Sequence, residues 1–79
     1  MITRENLQEV LNSITSKDKN RIRNSNKEYV VIYLHIFNAG QFVTITTTNN
    51  YNRYKNVSNS GNAILELNEV NKLLGDENE

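Results

Sequence analysis

The sequence predicts an α+β fold with an N-terminal helix, a three- to four-stranded antiparallel meander and a short C-terminal helix, the helices packed on one sheet face. Three observations predict it. Leu7, Val10, Leu11 and Ile14 recur at helical spacing. Residues 28–37 are an unbroken run of β-branched and aromatic side chains, followed by a turn and a second such run. An apolar segment that ends at Gly75 closes the pattern.

The helical stripe sets the first element. With Thr3 as N-cap, Ile2 and Leu7 take the two staple positions and Glu5 sits in the first turn, where the helix dipole favours a negative charge. Asn6 stands where a complete capping box would carry Glu or Gln. The helix is expected from about Arg4 to Thr15, and the polar stretch from Ser16 to Lys27 is read as a mobile loop.

Residues 28–37 form the strongest predicted strand, and its two faces differ. Val30, Ile32, Leu34 and Ile36 make an aliphatic face, while Tyr29, Val31, Tyr33, His35 and Phe37 make the other. Asn38-Ala39-Gly40 marks a turn and Gln41 to Thr48 the returning strand. A register that keeps the aliphatic residues together pairs Ile36 with Val43 and Leu34 with Ile45, placing Leu34 in the core. It also pairs His35 with Thr44, Tyr33 with Thr46 and Phe37 with Phe42. Asn49-Asn50 suits a second tight turn, so a third strand is expected from Tyr51 to Val57, with Tyr54 on the core face beside Ile45 and Arg53 and Lys55 on the reverse face. Residues 63–74 read either as one helix or as a short strand, Ile64 to Leu67, and a helix from Glu69 to Leu74 capped by Asn68. The cap residue and the placement of Glu69 and Lys72 favour the second.

A chain of 79 residues makes one domain, read as residues 1–75 with 76–79 as a disordered acidic tail. A domain of this size buries only about 60–65% of its unfolded surface. With no Cys and a single His, disulfides are excluded and a structural metal nearly so, which leaves a homodimer open as a source of stability. No apolar run approaches the roughly 18 residues of a membrane span and no secretion signal is visible, so a soluble, cytoplasmic protein with no membrane partner is expected. Fifteen Asn and the absence of Pro and Trp read as codon drift in an AT-rich genome, such as that of a low-GC bacterium or its phage.

The net charge of zero hides segregation. Residues 1–27 carry six Lys and Arg against three acids, and residues 63–79 carry one against five. The basic side is Lys17, Lys19, Arg21, Arg23 and Lys27; the acidic end is Asp76, Glu77 and Glu79. Nothing in the pattern supports catalysis. The one His lies mid-strand among aromatics with no carboxylate near it in sequence, and three scattered Gly build no phosphate-binding loop. No cofactor is implied, and the expectation is a protein that is not an enzyme.

The candidate binding site is therefore the reverse sheet face: Tyr29, Tyr33, His35, Phe37, Phe42, Thr44, Thr46, Arg53 and Lys55. An open aromatic face signals a recognition surface, because open antiparallel sheets are normally polar outside. Tyr, Phe and Arg are the residues of protein interfaces, which favours a protein partner and a small phage or mobile-element accessory protein that blocks or redirects a host enzyme, an inhibitor in effect. Single-stranded nucleic acid is the alternative, with bases stacking on the rings and the basic segment following the phosphates. The segment from Gln41 to Leu74, strands followed by Leu65-Glu66-Leu67-Asn68 and a terminal helix, resembles the curved-sheet single-strand binders of the transcriptional-coactivator family. The resemblance covers less than half of the chain, rests on pattern and assigns no family. Zero net charge weighs against nucleic acid, whose affinity comes largely from phosphate neutralisation.

Overall fold

Thr3 and Asn6 open the fold with a reciprocal pair of bonds: the Thr3 N–H donates to Asn6 Oδ1 at 2.6 Å and the Asn6 N–H to Thr3 Oγ1 at 3.2 Å. The pair has the form of a capping box but closes the turn at residues 5 and 6 ahead of the helix: the N-cap is Asn6 and not Thr3, and the helix expected from Arg4 to Thr15 runs only from Leu7 to Asn12. The computed structural model describes residues 2, 3 and 5–75, so the acidic tail 76–79 and Arg4 lie outside the described residues. The order of elements is α1 (Leu7–Asn12), α2 (Ser16–Arg23), β1 (Tyr29–Phe37), β2 (Gly40–Thr48), α3 (Tyr51–Tyr54), a 3-10 turn (Val57–Ser60), β3 (Ala63–Glu66) and α4 (Leu67–Leu74). The α+β class, the antiparallel sheet and the packing of α1, α2 and α4 on one face stand as expected.

The expected loop 16–27 is largely helix. Thr15 caps α2, its Oγ1 accepting from the Asp18 N–H at 3.1 Å, with Asp18 in the first turn and Arg21 and Arg23 in the last. The single apolar residue Ile22 is fully buried and anchors the helix in the core. Arg21 Nη1 donates to the Ile45 carbonyl at 3.4 Å, tying the helix to β2. Periodicity needs several apolar positions and is silent on a helix that buries one, whereas the Thr15-Ser16-Lys17-Asp18 cap pattern carries the signal.

The hairpin register is Leu34↔Val43 and Ile32↔Ile45, two residues away from the expected one. An even shift preserves the faces and changes only the partners. Its cause is the tighter turn. Phe37 pairs with Gly40 across Asn38-Ala39, and the positive φ of 142° falls on Gly40 while Asn38 and Ala39 keep negative values.

The third strand is not where the sequence suggested. Residues 51–57 form α3 and a turn, because the Asn50 side chain caps the Arg53 N–H at 3.2 Å and begins a helix. Tyr54 therefore does not join the core beside Ile45, and Arg53 and Lys55 do not lie opposite Thr46 and Thr44. The third strand is β3, and it pairs with β1, giving the order β2-β1-β3 and not a meander of sequential neighbours. Strand β3 runs directly into α4, whose N-cap is Glu66 and not Asn68. Gly75 at φ 79° stops α4, as expected.

The core lies between the sheet and α1, α2 and α4, built from Leu7, Val10, Leu11, Ile14, Ile22, Val30, Ile32, Ile45, Leu67 and Val70. Leu34 is only half-buried and stands outside this cluster, so the centre of β1 that matters is one turn of the pleat nearer its start. Ile32→Ala should destabilise by roughly 2–5 kcal/mol and Ile22→Ala by a similar amount, with Leu34→Ala costing clearly less. Thermal and denaturant melts of the three variants check this order.

Candidate functional site

The reverse face of the sheet is divided in two by the connection from β2 to β3. Because β3 lies on the far side of β1 from β2, residues 49–62 pass over the sheet, and the helices already occupy the core side. The Tyr51 ring sits 5.2 Å from the ring of Tyr29, which places α3 on the reverse face. Val31 points to this face by its position in the pleat and yet has 0% exposure. Val30, Val31 and Ile32 are thus buried consecutively, the signature of a strand covered on both sides. The expected open face is closed at this end.

At the other end the hairpin outruns its cover. Strand β3 reaches only to Ala63, opposite Ile32, and one step further the Asn62 side chain takes over, Oδ1 accepting from the Leu34 N–H at 2.9 Å. Beyond that point β1 and β2 form a two-stranded projection. Its apolar side chains are exposed: Ile36 to 67%, Phe37 to 57% and Phe42 to 49%. On the reverse face of the projection the rings order themselves. His35 stacks on Phe42 with centroids 4.6 Å apart, and Phe37 stacks on Phe42 at 5.4 Å, both at 16° between planes. His35 Nε2 and Thr44 Oγ1 share a hydrogen bond of 3.0 Å, so the imidazole is held as part of the stack.

Of the sequence-predicted site residues, the structure gathers His35, Phe37, Phe42 and Thr44 at the tip, with Tyr33 half-buried behind them. Thr46 is half-buried nearer the base, and Tyr29 belongs to the covered end. Arg53 and Lys55 are exposed beyond the opposite end of β2, the Arg53 guanidinium 5.6 Å from the Tyr54 ring centre. Lys17, Lys19, Arg21 and Arg23 ride on α2, which covers the core face, and Lys27 follows it. The cations of α2 and the exposed rings are thus on opposite faces of the sheet, and Arg53 and Lys55 share the face of the rings but follow the base end of β2, away from the tip. Ile36 is the residue that sequence reasoning missed. Its face is the core face, and only the shortness of β3 and the reach of the helices decide that it is left open.

Shallow clefts lie elsewhere among the described residues, two of them well formed. One, of about 290 Å³, is lined by Lys27, Glu28, Tyr29, Glu66, Leu67 and Asn68, and the other by residues around Ile2, Leu7 and Leu65. Neither contains His35. Among the described residues no three His, Asp or Glu side chains gather around a shared point as metal ligands would. No helix of the described residues is long and apolar enough to cross a membrane. Neither a family model, nor a curated protein, nor a solved structure matches this chain.

The division of the face is directly testable. Val31→Asp should unfold the protein, since an unpaired charge buried at the base costs several kcal/mol. Phe42→Asp, at the tip, should leave the circular dichroism spectrum and the melting temperature near those of the wild type.

Proposed function

We propose that this chain is a small non-enzymatic binding protein that holds a protein partner through the projecting tip of the β1–β2 hairpin. The observation that supports this most is the exposure of Ile36, Phe37 and Phe42 within a few residues of one turn. Apolar side chains cluster at a surface at a cost in solubility, and a partner that covers them is the usual compensation. Phe42, braced by His35 and Phe37, is preordered, so docking onto it loses little side-chain entropy. An accessory or inhibitor protein of a phage or mobile element suits the size and composition. Such a role needs a rigid finger that enters a pocket and no chemistry of its own.

Single-stranded nucleic acid is the weaker reading. It requires cations beside the stacking rings, and here α2 carries its Lys and Arg over the opposite face while Arg53 and Lys55 lie past the far end of β2.

With a photo-crosslinking residue in place of Phe42, the protein in its native cells should trap a discrete protein adduct; the same residue in place of the exposed Asn68 should not. Phe37→Ala should weaken the trapped partner by about tenfold or more, the loss expected of an interface anchor, at low and high salt alike. Retention of single-stranded oligonucleotides that weakens steeply with salt, with no protein adduct, would replace this reading with the nucleic-acid one.

A further inference from the structure

The outer edge of β2 carries open backbone donors and acceptors, and the hydrogen bonds of β1 say which ones. The Leu67 N–H donates to the Glu28 carbonyl at 2.8 Å and the Leu34 N–H to Asn62 Oδ1 at 2.9 Å. Even-numbered residues of β1 therefore turn their main-chain groups toward β3 and odd-numbered residues toward β2, since both groups of a residue point the same way in an antiparallel ladder. Through the pairs Tyr33↔Thr44 and His35↔Phe42, the even-numbered residues of β2 serve β1, and Gln41, Val43 and Ile45 face outward. The Arg21 bond to the Ile45 carbonyl arrives from that outer side, as this alternation requires. Gln41 and Val43 have no such partner among the described residues.

Natural sheets blunt an edge with charge, Pro, a bulge or brevity. Strand β2 has nine residues in unbroken register, with no charged residue and no Pro between Gly40 and Thr48. We propose that a second copy of this chain covers this edge, β2 pairing antiparallel with its counterpart about a two-fold axis at Phe42. The free groups select that register. Gln41 of each copy meets Val43 of the other and the two exchange both hydrogen bonds, while Phe42 faces Phe42 in the close pair between them. An axis at Val43 would set Gln41 against Ile45, whose carbonyl Arg21 already occupies. The strand residues themselves are uncharged, so no like charges stand directly opposite each other in the paired segment, and Arg21 of each copy sits beyond it at Ile45. The two three-stranded sheets become one, with the aromatic stacks of both copies side by side on the same face. The contact is made by main-chain groups of the β2 edge although its axis passes Phe42 of the tip, and a monomer can also dock a different protein there, so the state of the isolated protein tests the dimer independently of that reading.

So small a contact predicts a weak, concentration-dependent dimer. Sedimentation equilibrium of the wild type should show monomer and dimer in exchange. Gln41→Pro should be monomeric at the same concentrations with an unchanged circular dichroism spectrum, because it removes an outward N–H that β1 does not use. The chain has no Cys, so Phe42→Cys introduces a unique thiol. In the close pair the Cα atoms are about 4.5 Å apart, within reach of a disulfide, and mild oxidation should convert this variant to a covalent dimer. Thr44→Cys, which would face Gly40 of the copy, should cross-link poorly. A monomer at every concentration, a dimer that survives Gln41→Pro, or equal cross-linking at positions 42 and 44 would overturn the proposal.

Discussion

The brevity of β3 is the constraint on which the rest of the structure depends. Four residues pair with β1 and the chain then turns at once into α4. Strand β1, by contrast, has nine residues and β2 matches it throughout. The hairpin is therefore longer than anything that can cover it, and one half must be core while the other half is surface. In the covered half, consecutive residues from Val30 to Ile32 are excluded from solvent by the helices on one side and by the 49–62 connection on the other. In the uncovered half the alternation continues, and there Ile36, Phe37 and Phe42 stand exposed. A single strand thus holds three fully buried apolar residues and, among the described residues, the most exposed large one, Ile36.

The boundary between the halves is managed by polar side chains standing in for backbone. Asn62 extends the β3 ladder by one bond at Leu34, and Arg21 closes the outer edge of β2 at Ile45. At the base, Asn49 Oδ1 accepts from the Glu28 N–H at 2.9 Å, and the Asn50 N–H donates to Thr48 Oγ1 at 2.9 Å. Asn is the residue suited to this work, since its amide offers both donor and acceptor at the length of a peptide group. The high Asn content reads as drift in the sequence, yet Asn6, Asn49, Asn50 and Asn62 each satisfy a specific main-chain group.

Much of the fold was legible because it rests on periodicity. Leu7, Val10 and Leu11 on one helix face, the two-faced strand β1 and the Gly75 stop follow from local pattern, and the structure contains them, whereas Ile14 is buried in the bend after α1 and not in the helix. The rest turned on tertiary choices. Helix α2 buries a single residue, Ile22, so no periodicity announces it, and Tyr51–Tyr54 is a helix because one Asn caps it. The candidate site was half legible. The alternation on β1 and β2 placed His35, Phe37 and Phe42 together, whereas the separation of these rings from Arg53 and Lys55 depends on where the chain crosses the sheet, which no local pattern encodes.

Residue-resolved amide hydrogen exchange along β1 tests the division of the hairpin most directly. Ile32 and Ile36 are alike in side chain, strand and face, and they differ in that β3 stands beside Ile32 and ends before Ile36. Exchange reports how far each bond must open, and protection spans from almost nothing at frayed positions to the full stability of the domain in its core. In dilute solution the Ile32 amide should exchange only with global unfolding and the Ile36 amide should be nearly unprotected. Equal protection of the two amides would contradict the account, because it would mean that the tip is covered as the base is.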